Sequence, residues 1–139
     1  MSRYFALKEF LVSREHPEID NTPSFEVVEN LKELSTALDG LREAWGGAIN
    51  VTSGYRCPEL NKAARGVSTS AHLTGRAADI VPANGRIGDF EKFCVAWVAK
   101  SGIRFDQLIR ESVGGKRWVH FGIRNNSGHQ RMQILNIDK

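Results

Sequence analysis

A chain of 139 residues, 41% hydrophobic and 25% charged, has the make-up expected of one globular domain. No apolar run approaches the ~20 residues that a membrane-spanning helix needs, and Met1-Ser2-Arg3-Tyr4-Phe5 lacks the apolar stretch and small-residue cleavage site of a secretory signal. The net charge of +3 is small and accompanied by no nucleic-acid-binding motif, so composition gives little support to a nucleic-acid binder.

Residues 4–12 read as a short helix anchored by Phe5, Leu7, Phe10 and Leu11, and residues 13–22 as a polar loop. Thr22-Pro23 reads as a helix start, because threonine can cap and proline suits the first turn. Val27, Leu31, Leu34, Leu38, Leu41 and Trp45 then repeat at three-to-four spacing, which predicts a long amphipathic helix stopped by Gly46-Gly47. Ala48 to Thr52 alternates and is β-branched, as a strand does. Pro58 opens a short helix over roughly 58–65, and residues 66–76 form a Gly/Ser/Thr loop. Ala77 to Val81 predicts a buried strand closed by Pro82, and Ile87, Phe90, Cys94, Trp97 and Val98 a second amphipathic helix over 86–101.

Phe105–Ser112 and Arg117–Ile123 are strand-like, and the intervening Gly114-Gly115 suits the positive dihedrals of a two-residue hairpin turn. Met132 to Ile137 offers one more short strand. Helices and a mainly antiparallel sheet make the expected class α+β. Cys57 and Cys94 lack CxxC spacing; the sequence leaves a disulfide between them open, with free thiols the commoner state in a protein made in the cytoplasm, and Cys94 is expected to be buried on a helical face.

The chemistry concentrates in two places. Ser70-Ala71-His72-Leu73-Thr74-Gly75-Arg76-Ala77-Ala78-Asp79 sets an imidazole and a carboxylate seven residues apart, and Trp118-Val119-His120-Phe121 adds a second imidazole in an apolar strand. His72, Asp79 and His120 are a three-ligand N/O set of the kind zinc accepts, with a fourth tetrahedral position left for water, as in catalytic rather than structural sites. Asp79 in an apolar strand needs a partner for its charge, and a metal supplies one. His16 and His129 lie in polar loops and are read as solvated surface residues.

Hairpin register supplies a candidate base. With Gly114-Gly115 at the turn centre, opposed residue numbers sum to 229, so Glu111 faces Trp118 and Ile109 faces His120. Glu111 and His120 then share a sheet face as diagonal neighbours, with Cβ atoms about 7 Å apart. A carboxylate there can take a proton from an attacking water and pass it to a leaving amine. Arg56, just past the Val51 strand, carries a guanidinium fork suited to a substrate carboxylate. Ser70 is placed either to donate to a substrate carbonyl or to order the loop before His72.

The pattern Ser70-x-His72-x-x-Gly75-x-Ala77-x-Asp79, followed by Trp118-Val119-His120, resembles the zinc D-alanyl-D-alanine peptidase family. That group is similar to phage endolysin peptidases, vancomycin-resistance dipeptidases and the hedgehog signalling domain. Ser53-Gly54-Tyr55-Arg56-Cys57-Pro58-x-Leu60-Asn61, Phe105-Asp106-Gln107-Leu108-Ile109 and Asn21-Thr22-Pro23 match as well, so the likeness covers nearly the whole chain and is nearest a single-domain, phage- and prophage-type branch.

The resemblance implies one zinc ion held by His72, Asp79 and His120, substrate-carboxylate recognition by Arg56, and a peptidoglycan stem peptide as substrate. The chain is expected to be a monomer, and the lack of a recognisable signal leads to the expectation that it is made in the cytoplasm and acts on the cell wall once released or delivered. Some relatives carry a catalytic glutamate three residues before the second histidine, and others a histidine five before it; this chain has Arg117 and Gly115 there. Glu111 is therefore the expected general base. The competing reading is a catalytically weak zinc-bearing module that binds the wall or forms part of a phage structure.

Overall fold

The computed structural model describes residues 1–139. In chain order it has a 3-10 turn at Leu7–Phe10, α1 (Phe25–Trp45), β1 (Ile49–Ser53), α2 (Pro58–Ala63), a second 3-10 turn at Ala71–Thr74, β2 (Ala77–Pro82), α3 (Ile87–Ser101), β3 (Gln107–Val113), β4 (Lys116–Gly122) and β5 (Gln133–Asp138). The strands form one sheet in the order β1-β2-β4-β3-β5. Only the β3–β5 pair is parallel. The fold is α+β, as expected, with a mixed and mainly antiparallel sheet.

Helix α1 is amphipathic for the reason its sequence gives. Leu31, Leu34, Leu38 and Leu41 are fully buried, and each contributes about 1.5–3 kcal/mol by leaving water. They pack, with Phe90, Cys94 and Val98 of α3, against Ala78, Ile80, Leu108, Val119 and Phe121 of the sheet. Strand alternation turns the intervening residues Asp79, Ile109, Glu111, Trp118 and His120 to the opposite face. The sheet thus has a core face under α1 and α3 and a second face that carries the polar site.

Two boundaries differ from the sequence expectation. Helix α1 starts at Phe25 with Ser24 as its cap, whose Oγ accepts from the Val27 amide at 3.2 Å. Thr22 does not cap it because its own hydroxyl donates to Asp20 at 2.6 Å. The expected helix over 4–12 shrinks to the single turn Leu7–Phe10. The carbonyls that would continue it are used elsewhere: Phe10 accepts from the Tyr55 amide at 2.7 Å, and Leu11 from the Asn21 side chain at 3.0 Å.

The hairpin register is the expected one: Glu111 opposes Trp118 and Ile109 opposes His120. Gly114 and Gly115 both have positive φ, +56° and +85°. The last expected strand is present as β5 and lies along β3. Cys94 is buried, Cys57 caps α2, and both are free thiols. No helix is long and apolar enough to cross a membrane.

Candidate metal centre

Asp79 sits in the middle of β2, directly opposite His120 of β4. His72 comes from outside the sheet, on the 3-10 turn Ala71–Thr74 that precedes β2. Ser70 caps that turn through its Oγ, which accepts from the His72 amide at 3.2 Å. Gly75 ends it with φ +71°, and a Cβ there would stand 3.0 Å from both Leu31 and Val27 of α1. The requirement for a left-handed residue and the close approach to α1 both select glycine.

The three side chains converge. Asp79 Oδ1 lies 3.3 Å from His72 Nε2 and 3.2 Å from His120 Nδ1. One ligand atom from each residue lies within 4.8 Å of the others, and all three residues are buried. The His72 tautomer follows from its other nitrogen: Nδ1 is 2.7 Å from the Gly54 carbonyl. A carbonyl only accepts, so Nδ1 donates, and in the neutral ring Nε2 presents a bare lone pair to the Asp79 carboxylate. A cation, either a proton on Nε2 or a metal ion, satisfies both atoms, and a ring nitrogen oriented through its partner is the usual arrangement of a metal-ligating histidine.

The spacing also fits. Ligands 2.0–2.1 Å from a tetrahedral zinc stand roughly 3.3–3.4 Å from one another, close to the two Asp79–imidazole separations. Burial alone would raise the Asp79 carboxyl, but the facing imidazoles of His72 and His120 hold it well below the usual carboxylate range. The Asp79 carboxylate is thus ionised where a divalent cation needs it, and the two imidazoles and one carboxylate are a donor set that fits zinc.

Arg56 lies beside the cluster rather than at a distance from it. Its Nε donates to Ser53 Oγ at 3.0 Å, Nη1 to Asn61 Oδ1 at 3.3 Å and Nη2 to Asp79 Oδ2 at 3.4 Å. These three contacts leave two of the five guanidinium hydrogens uncommitted. Ser53 reaches this face through a register shift between Val51 and Ser53, which sets it opposite Asp79 instead of on the core side; bulges of this kind re-aim side chains near functional sites.

Arg117 opposes Ser112 in the hairpin, on the core side of β4, and pairs with Glu91 of α3. Glu111, half-buried, lies on the face of His120, diagonal to it across the hairpin. His16 and His129 are not part of the cluster.

Sequence pattern assigns no role to several residues that support the site. Asn21 donates to the carbonyls of Leu11 and Tyr55 and accepts from the Cys57 amide at 2.8 Å, pinning the turn that holds Gly54 and Arg56. Buried Asn61 joins Arg56 to the Val67 carbonyl. Buried Asp106 accepts a bidentate pair from Arg131 at 2.7 and 2.8 Å. The only sequence signal for Asn21 and Asn61 is their place inside family-like motifs; Arg131 carries none.

The sequence model of the family described as Peptidase M15 matches residues 3–121. No curated protein matches the chain.

Proposed function

This chain belongs to the peptidase M15 family, and from that premise we propose that it is a zinc-dependent peptidase that hydrolyses peptidoglycan stem peptides, as a D-alanyl-D-alanine carboxypeptidase or an endolysin-type endopeptidase. The observation that carries this reading is the buried His72–Asp79–His120 cluster, with a carboxylate between two imidazoles and one tautomer set by Gly54. Bound zinc supplies Lewis acidity toward a scissile carbonyl and brings the pKa of water to about 7.

The protein's own groups carry the remaining work. His72, Asp79 and His120 would hold the ion. Arg56 steadies Asp79 and offers its two remaining N–H donors to a substrate carboxylate in a planar fork. Ser70 Oγ accepts from the His72 amide, so its hydroxyl hydrogen stays available for a substrate carbonyl. Glu111 takes the proton of the attacking water on a carboxylate oxygen and returns it to the leaving amine nitrogen. We read the 139 residues as one catalytic unit, acting as a monomer on wall peptides after release or delivery, with a phage or prophage source in keeping with the resemblance.

One observation favours a second reading, a wall-binding or phage structural module that retains the metal: the position where relatives carry glutamate is Arg117, paired with Glu91. Zinc-loaded protein incubated with purified peptidoglycan and with defined stem peptides, followed by mass spectrometry, separates the two. Cleavage fragments establish the peptidase and the bond it cuts. Binding without cleavage of any substrate establishes the module.

A further inference from the structure

The family match ends at residue 121, yet the segment that follows reaches back to the metal-binding turn. Asn126 touches both ends of that turn. Its amide nitrogen donates to the carbonyls of Thr69 and Ser70, each at 3.2 Å, and its amide oxygen accepts from the Thr74 hydroxyl at 2.8 Å. The other outside anchors each hold a single point: Asn30 holds the Thr74 carbonyl, the Arg56 amide the His72 carbonyl, and Gly54 the His72 ring.

The loop presenting Asn126 is itself heavily tied. Asn125 Oδ1 accepts from the amides of Ser127 and His129, both at 2.9 Å. Arg124 joins Glu33 of α1 to the Gly128 carbonyl, and Arg76 donates to the Asn125 carbonyl at 3.0 Å. Downstream, Gln130 holds the carbonyls of Arg104 and Ile123, and Arg131 holds Asp106. An exposed loop fixed at this many points can hold a residue at its tip in one place.

We propose that Asn126 is a positioning residue for the metal centre, and that residues 124–131 form a clamp fixing the His72 turn so that Nε2 stays aimed at Asp79 and His120. Asn126 touches no ligand atom and acts only through the turn. The inference rests on the reading that the cluster holds a metal. Loss of outer supports of metal-ligating residues typically weakens metal binding about 10–100-fold; Asn126 acts one step further out, so about tenfold is expected.

The test measures Zn²⁺ affinity by chelator competition and the visible spectrum of the Co²⁺ form, for the wild type, Asn126→Ala, Thr74→Val and Thr74→Ser, with thermal unfolding of each metal-free protein alongside. Asn126→Ala is expected to weaken Zn²⁺ binding about tenfold and alter the Co²⁺ spectrum, with metal-free unfolding unchanged. Thr74→Val is expected to do so in part, and Thr74→Ser, which keeps the hydroxyl, to match wild type. Wild-type affinity in Asn126→Ala overturns the clamp, as does a metal-free protein that unfolds correspondingly earlier. A wild type that binds no metal refutes the underlying metal assignment instead.

Discussion

Gly54 is the position where a single methyl group tests the architecture most sharply. A Cβ built there stands 2.4 Å from the Phe10 carbonyl oxygen, 2.6 Å from Phe10 Cα and 2.9 Å from its carbonyl carbon. These are backbone atoms, so no side chain can swing away. Restoring an ordinary contact of 3.4 Å requires the two segments to part by about 1 Å. That movement stretches the 2.7 Å bond from the Tyr55 amide to Phe10 past hydrogen-bonding range. It also displaces the Gly54 carbonyl that fixes the His72 ring. Overpacking costs about 1–3 kcal/mol and the lost hydrogen bond about 0.5–1.5 kcal/mol. Gly54→Ala should therefore destabilise the metal-free protein by about 1.5–4.5 kcal/mol, measured by urea unfolding. Metal affinity should fall about 10–100-fold by chelator competition at a temperature where the variant stays folded. A variant within about 0.5 kcal/mol of wild type with unchanged affinity would refute the claim that this contact sets the histidine.

Glu111→Gln keeps the shape and removes the proton acceptor; kcat should fall about 10²–10⁴-fold with metal content unchanged, and activity within a few-fold of wild type would remove Glu111 from the mechanism. Arg56→Lys keeps the charge and loses the fork; kcat/KM for carboxylate-bearing peptides should drop about tenfold to a hundredfold, the equivalent of one charge-assisted hydrogen bond, with zinc content at saturating metal unchanged. Burial by itself would raise the Asp106 carboxyl, but Arg131 holds it below the usual range. A depressed carboxylate contributes stability that is fully present above the unfolded value of about 3.9 and lost as pH falls through the lower folded value. Arg131→Met should therefore cost about 1–3 kcal/mol near neutrality and flatten the acid limb of the stability profile below about pH 4, as followed by circular dichroism during acid titration.

Elements with strong periodicity are legible in the amino-acid sequence itself. The leucine stripe of α1, the apolar face of α3 and the Gly-Gly hairpin each carry their geometry in consecutive residues, and the hairpin also determines which side of the sheet Glu111 shares with His120. The candidate metal cluster is legible in residue types and spacing, His72 seven residues before Asp79 and His120 in an apolar strand, whereas the opposition of Asp79 and His120 across β2 and β4 and the capped turn at His72 come from the fold. What is not legible depends on contacts distant in sequence. The shortening of the first helix follows from Tyr55 and Asn21 claiming the carbonyls of Phe10 and Leu11. The placement of Arg56 against Asp79 follows from the shifted register at the end of β1, and the contacts of Asn126 and Arg131 from a return of the chain past the second histidine. None of these leaves a periodic trace.

The central claim is that His72, Asp79 and His120 hold one catalytic metal ion. Elemental analysis of protein equilibrated with zinc and freed of excess tests it most directly. The account predicts about one zinc per chain, as a single three-ligand site implies, and its loss in His72→Ala. Stoichiometric zinc retained by a His72→Ala/His120→Ala double variant would contradict it.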